Sequence, residues 1–462
     1  MSALGLKLTL ARTVGRALRA SGRGGGTSLP GELLLRLEPG ALGALGARLA
    51  GGSAVISATN GKTTTAAITA AILERAGRRL VYNRAGANMA GGVAAALLAA
   101  TRPRGAMDGD SGLFEVDEFW LGAVCGQLRP DTVLLANLFR DQLDRYGELE
   151  TIAGRWAQVV ASLPASSALV LNADDPLVAD LGRERADVRY FGVEDDSVAL
   201  PEMQHAADSK HCRRCGSPYH YDSIYLGHLG HYHCPGCGQR RPEPDVRAQQ
   251  ITLHGTDAAS FTLLYGSQAQ TVRLPLPGLY NVYNALAATA LCLTLGLPLE
   301  LIADGLQHTT AAFGRAETVV LGERTLQIML VKNPAGVNEI LRTLGLEHGQ
   351  LDVLAVLNDH TADGRDVSWI WDADFELLCP HLRSITCAGT RAADLAVRLK
   401  YAGVPAGVLS VIPGLAAALD HALAHSQSNR VYALPTYTAM LELRAELVRR
   451  GASSPYWRRP VP

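Results

Sequence analysis

Several things are scarce or missing in this 462-residue chain, and each absence narrows what it does. Charge of one sign is not in excess: 43 lysines and arginines stand against 44 aspartates and glutamates, a formal net charge of −1. That argues against nucleic acid, or an acidic membrane, as the main partner. There is no run of about eighteen uncharged apolar residues, as a membrane-spanning helix requires. The N-terminus also lacks the basic, apolar, small-residue order of a secretory signal, which predicts a cytosolic protein. Eight cysteines in a chain this long do not make a disulfide framework. With 48% hydrophobic and 19% charged residues, the remainder has the composition of an ordinary globular protein of two or three domains. In "LARTVGRALRASGR", Arg12, Arg16, Arg19 and Arg23 fall near one helical face without an aromatic anchor, which predicts a solvated face.

What is present begins with "SATNGKTTTAAITAAIL", residues 57–73. The apolar run "GSAVIS" before it predicts a buried strand, and the recurring alanine, isoleucine and leucine after it predict a helix. Strand, loop and helix in this order are what a phosphate-binding loop needs. Its backbone N–H groups surround phosphate oxygens, its lysine reaches the terminal phosphates and the next hydroxyl ligates Mg²⁺. Asn60, Gly61, Lys62, Thr63 and Thr64 are the candidates. Ile56 stands where the general motif has an earlier glycine, so the rest of the chain has to support the assignment.

Four cysteines stand apart. Cys212-x2-Cys215, then eighteen residues, then Cys234-x2-Cys237 is the spacing of a four-thiolate zinc ribbon. A glycine follows Cys215 and another follows Cys237, permitting tight knuckles. Four protein ligands would close the coordination sphere, so this zinc is expected to be structural. His211, His220, His228, His231 and His233 are the nearby competitors. Cys125, Cys292, Cys379 and Cys387 lie among apolar residues and are expected in the core.

"GLFEV", "DTVLLAN", "SALVLN" and "VRYFG" alternate with helical stretches, a rhythm that predicts a parallel sheet with ligands at the C-terminal edge of its strands. Glu115, Asp117, Glu118, Asn137, Asp141, Asp144, Asp174 and Asp175 follow those strands. Such carboxylates ligate Mg²⁺ or cap helices, and Glu115 is the favoured metal ligand. Residues 246–275 read as antiparallel strands. The helix "NVYNALAATALCLTLG" follows, and a second α/β rhythm begins after Arg315. The expected division is an N-terminal segment, 1–50; an ATP-binding unit, 51–315, with the ribbon inserted at 205–243; and a C-terminal α/β unit, 316–462.

"TNGKTTT", "FEVDE", "NLFRDQLDRYG", "LNADDP", "LPGLYNVYNALAA" and "FGRAE", in this order, resemble the central domain of the Mur ligases, which use ATP to form an acyl phosphate and then an amide. The ribbon, with "VKNPAGVNEIL", "LNDHTADGRDVSWIWDADFE" and "GTRAADLAVRLKYAG", narrows the resemblance to the MurT family, the ligase subunits of lipid II isoglutaminyl synthase. The resemblance implies a Mur ligase-type fold, mostly parallel and P-loop-bearing, carrying the zinc ribbon and followed by a C-terminal α/β domain. It implies ATP and Mg²⁺ as well as zinc. Lys62 would contact the β/γ-phosphates, Thr63 and Glu115 would hold Mg²⁺, Asn281 and Asn284 would meet the adenine, and Arg315 would lie near the phosphates. It further implies a GatD-like glutaminase partner whose catalytic residues are completed by an aspartate of this chain: Asp366, with Asp363 and Asp359 as alternates. The implied substrate is lipid II or its muropeptide precursor, amidated at the D-glutamate α-carboxylate at the inner face of the membrane, with membrane contact only through that substrate.

The chain departs from the wider family in three places. Gln142 in "DQLD" replaces a histidine, no lysine between Lys62 and Lys210 is available for carbamylation, and "MLVKNP" replaces the motif whose aspartate meets the ribose. Lys332 or Asn333 would face the nucleotide instead. No Gly-x-Cys-x-Gly elbow of a class I glutaminase is present, so the nitrogen source is expected to be a second protein. Two other functions compete with this one. One is a folylpolyglutamate-synthase-like or other Mur-type amino-acid ligase; the other is an ATP-switched scaffold whose ribbon grips a partner.

Overall fold

The computed structural model describes residues 3–20, 28–83, 87–102, 106–141, 149–204, 207–310 and 315–453, with backbone alone at 3–4, 16–20 and 315. The strands are β1 (Ser53–Ser57), β2 (Leu80–Tyr82), β3 (Ser111–Glu115), β4 (Thr132–Leu135), β5 (Ala168–Asn172), β6 (Val188–Val193), β7 (His220–Leu226), β8 (Leu229–His233), β9 (Val246–His254), β10 (Ala258–Tyr265) and β11 (Gln268–Leu274). Among the described residues, nine of them make one sheet in the order β11-β10-β9-β6-β5-β4-β1-β3-β2. Pairing is parallel from β2 through β6 to β9 and antiparallel across β9, β10 and β11.

β1 is buried along its whole length because both faces of the sheet are covered. Ala54 and Ile56 point into a core shared with helices Lys62–Arg75, Leu279–Thr294 and Leu299–Gln307. Val55 points into the opposite core, against Ala90–Ala100, Leu121–Leu128, Leu149–Ser162 and the N-terminal helices. One consequence corrects an expectation: the Arg12 guanidinium is not held in solvent but donates to the carbonyls of Leu98 (3.3 Å) and Thr101, pinning the leading helix to Ala90–Ala100. Arg16, Arg19 and Arg23 fall outside the described side chains.

The second sheet is built from β12 (Arg315–Leu321), β13 (Arg324–Met329), β14 (Leu351–Val356), β15 (Leu382–Ala388), β16 (Leu409–Val411) and β17 (Arg430–Pro435), in the order β12-β13-β17-β14-β15-β16. Only its edge hairpin, β12 and β13, is antiparallel. Its two faces bury separate cores, Val353 and Ala355 on one side and Leu354 and Val356 on the other. β7 and β8 form a small antiparallel hairpin. Among the described residues no helix is long and apolar enough to cross a membrane.

Candidate active site

β1 ends at Ser57, and the chain turns through Gly61 into the helix Lys62–Arg75. Gly61 sits at φ +83°, and a Cβ there would fall 2.0 Å from Asn284 Oδ1, so conformation and space both require glycine. Asn137, just past β4, holds the turn: its Oδ1 accepts from the Asn60 N–H (2.9 Å) and its Nδ2 donates to the Asn60 carbonyl (3.0 Å). Because β1 pairs with β3 in the register Ile56–Glu115, the Glu115 carboxylate arrives beside the loop. Thr63 Oγ1 donates to Glu115 Oε1 at 2.8 Å. Asn83 fixes that strand end, accepting from the Glu115 N–H (2.9 Å) and donating to its carbonyl (2.7 Å).

Two lysine–carboxylate pairs flank the loop, one buried and one half-buried. Lys62 Nζ donates to Glu118 Oε2 at 2.6 Å and to the Ala58 carbonyl. Burial opposes charge on both partners, yet Glu118 and Asp117 raise the Lys62 pKa, and the Lys62 and Lys332 charges hold Glu118 below the usual carboxylate range. Lys332 Nζ donates to Asp141 Oδ2 (2.6 Å) and to the Thr59 carbonyl (2.8 Å). Burial outweighs Lys332 at Asp141 and pushes its carboxyl up; its Oδ1 is buried without a hydrogen-bond partner. These groups line a cleft with Glu115 and Asp117, closed on its far side by Thr361, Asp363 and Tyr437 of the C-terminal unit. Hard oxygen donors around an orphaned carboxylate oxygen fit Mg²⁺.

A second, more apolar pocket adjoins the loop at Asn60, Gly61 and Thr64. Tyr280, Tyr283 and Asn284 form one wall, Met329, Glu339 and Ile340 another, and Leu226 and Leu229 a third. The last two flank the turn between β7 and β8, so the cysteine-bearing insert builds part of this pocket. At that turn His228 is fully buried against the Phe139 ring (centroids 4.8 Å apart), 3.5 Å from Asp175.

At the other end of the hairpin the sulfurs of Cys212, Cys215, Cys234 and Cys237 lie within 4.8 Å of one another. Two of the separations, 3.4 and 3.6 Å, are close to the ~3.8 Å edge of a tetrahedron with Zn–S bonds of ~2.3 Å. Gly216 (φ +77°) and Gly238 (φ +74°) take the left-handed conformation, and their N–H groups close the knuckles on the Cys212 and Cys234 carbonyls. The four thiols therefore fit zinc, and among the described residues no histidine joins the cluster. Cys125, Cys292 and Cys387 are buried, as expected, and Cys379 is half-buried.

The other candidates separate. Asn284 lines the apolar pocket and accepts from Thr65 Oγ1 (3.2 Å), while Asn281 stands behind it, donating to the Pro277 carbonyl (2.7 Å) and accepting from Asn284 (3.0 Å). Asp174 and Asp175 are structural. Asp174 accepts from Tyr283, Arg241 and the Val193 N–H; Asp175 caps the helix starting at Pro176. Asp363 reaches the cleft but is spent on the Thr438 N–H (2.7 Å) and hydroxyl. Asp359 accepts from Thr390 (2.8 Å) and Arg391 (3.3 Å). Asp366 is exposed and does not line the cleft, and the Ser368 N–H (2.8 Å) holds its carboxyl below the usual range. Lys332 faces both pockets, whereas Asn333 caps the helix Pro334–Leu344 and pairs its amide with that of Asn60 (3.0 Å). The Arg315 side chain, Gln142 and Asp144 lie outside the described residues.

Sequence reasoning missed Asn83, the hairpin tip and Glu339. Only Glu339 left a signal, since it puts a carboxylate into the stripe Ala335, Glu339, Thr343 on a buried helix face.

A glycine turn between strand and helix on a mostly parallel sheet, facing a second α/β unit across an acidic cleft, is the architecture of a Mur-type ligase. The Mur ligase middle-domain family matches residues 56–233, and the MurT ligase C-terminal family matches residues 330–440. A pseudomurein peptide ligase type C from Methanothermus fervidus has a similar fold (TM-score 0.66, 23% identity, covering 86% of this chain and 79% of that one). So does a MurF ligase from Thermotoga maritima solved with ADP (TM-score 0.63, 14% identity, covering 91% and 85%). The chain is 32% identical, over 97% of its length and 98% of the relative's, to the MurT subunit of the glutamine-hydrolysing lipid II isoglutaminyl synthase of Streptococcus pneumoniae. The Staphylococcus aureus protein of the same name is also 32% identical, over 95% and 97%. The chain belongs to the MurT family.

Proposed function

We propose that this chain is the ATP-consuming subunit of a lipid II isoglutaminyl synthase. It transfers the terminal phosphoryl group of ATP to the D-glutamate α-carboxylate of the stem peptide, and ammonia then attacks the acyl carbon, forming the amide and releasing phosphate. The observation that carries the reading is the Thr63–Glu115 pair beside Lys62, at the mouth of a cleft between two α/β units in a MurT-family chain.

Thr63 and Glu115 are the residues that would hold Mg²⁺, which supplies charge neutralisation on the transferring phosphoryl group. Lys62 exchanges Glu118 for phosphate oxygens, and Gly61 and the helix N-terminus offer N–H groups to the same anion. Asn284, supported by Asn281, meets the base in the apolar pocket; Arg315 completes the phosphate contacts. The four cysteines would hold a structural zinc.

The 51–315 unit carries the nucleotide and the 316–462 unit faces a glutaminase partner. There Asp366, exposed and ionised, orients a histidine of that partner. The protein works in the cytoplasm at the inner membrane face, where a lipid-linked substrate presents its stem peptide.

The test is mass spectrometry of a D-glutamate-containing muropeptide incubated with the zinc-loaded protein, Mg·ATP and ammonium chloride. Replacement of OH by NH₂ lowers the mass by one unit, and Lys62→Ala should abolish that change. If the mass stays unchanged even with a glutaminase partner present, the assignment is wrong.

A further inference from the structure

Glu339 is a buried carboxylate that the protein itself leaves unsatisfied. It lies on the helix Pro334–Leu344, 2% exposed, and its Oε1 accepts no hydrogen bond. Among the described residues Arg342 stands 4.0 Å away and is committed to the carbonyls of Tyr225 (3.0 Å) and Val198 (2.5 Å). Burial pushes the Glu339 carboxyl up to about 7. A buried carboxylate oxygen without a hydrogen bond among the described residues calls for a ligand that supplies donors. Glu339 faces the pocket that adjoins Asn60 and Gly61 at one end and the amide of Asn284 on the opposite wall.

We propose that Glu339 reads the ribose of the bound nucleotide, its carboxylate accepting from the 2′- and 3′-hydroxyls. An ionised carboxylate only accepts, and its two oxygens match two O–H donors on adjacent carbons. An amide such as Asn284, which both donates and accepts, matches the mixed edge of a base. This inference rests on the cleft being the ATP site, and it assigns the ribose contact to a helix six residues beyond Asn333.

Titration calorimetry on the zinc-loaded full chain, with Mg²⁺ present, compares ATP, 2′-deoxy-ATP, 3′-deoxy-ATP and purine riboside triphosphate, which lacks the base amine. The wild type should bind ATP on the order of ten- to a hundredfold more tightly than either deoxy analogue. Glu339→Gln and Glu339→Ala should weaken ATP by a similar factor and bind the deoxy analogues nearly as well as ATP. Unchanged melting temperature and zinc content exclude misfolding, and Glu339→Gln preserves the volume. Variants that keep the wild-type preference for the hydroxyls overturn the proposal. So does loss of discrimination confined to purine riboside triphosphate, which would place Glu339 on the base. A wild type that binds no nucleotide would instead overturn the ATP-site reading beneath it.

Discussion

Glu115, Asp366 and Asp363 are three carboxylates with three different surroundings, and each substitution should report a different quantity. Glu115 is bonded to Thr63 and braced by Asn83, so Glu115→Gln should lower Mg²⁺-dependent ATP turnover by about a hundredfold or more, read by phosphate release, while leaving the melting temperature unchanged. Asp366 is exposed and does not line the cleft. Asp366→Asn should therefore suppress amidation driven by glutamine through a partner while sparing amidation driven by ammonium chloride. Equal loss in both assays would end its assignment to the partner's histidine. Asp363 holds the start of the helix Tyr437–Arg449, and Asp363→Ala should cost about 1 kcal/mol of stability, as loss of a helix cap does. Asp352 shows the pH side of the same physics. Burial favours its neutral form, but Arg383, Ser384 and Ser426 outweigh it and hold the carboxyl far below the usual range. With the folded value below the unfolded one, its contribution is complete above about pH 4 and is lost as pH falls towards the folded value. Thermal unfolding of Asp352→Asn should thus lose stability at neutral pH and show a shallower acid limb.

At the scale of elements, the four-cysteine insert and the apolar pocket beside Gly61 are one construction. The thiols gather one end of the β7–β8 hairpin and the tip of the same hairpin supplies Leu226 and Leu229 to the pocket. Chelating the zinc should weaken ATP binding by an order of magnitude or more before the rest of the chain unfolds, since a structural zinc carries the folding energy of its module. Calorimetry beside far-UV circular dichroism checks this; ATP affinity untouched by metal removal would show that the tip is held from the body alone. The knuckles, the phosphate loop and the parallel strands were legible because each is written in contiguous residues: "CRRCG", "CPGCG", "NGKTTT" and short apolar runs. The hairpin's place against Phe139 was not, because no local pattern encodes which surface an insert covers. Asp174 and Asp175 were ambiguous for the same reason, their partners lying on distant strands and helices.

Across the whole molecule, the two sheets meet where Lys332 crosses to Asp141 and Thr59, and where Asn333 pairs with Asn60. Lys332→Ala would take the cation from the half-buried Lys332–Asp141 pair, a loss of about 1–2 kcal/mol for a charged hydrogen bond. Hydrogen exchange should then rise on both sides of the cleft, and ATP should bind more weakly; exchange confined to one unit would refute a joint closure. The sequence marked "VKNP" as a departure and named both residues, but their division of labour depends on how the units dock.

The two lysine–carboxylate pairs also decide how the empty cleft treats passing anions. Lys62 and Lys332 are each already paired with a carboxylate, so orthophosphate or another small anion would have to displace that partner. Entry requires a guest that brings its own counter-ion for Glu115 and Glu118 while offering oxygens to the lysines. On the proposed reading, the two pairs would favour a magnesium-laden polyphosphate over simple salts before any base or sugar is read.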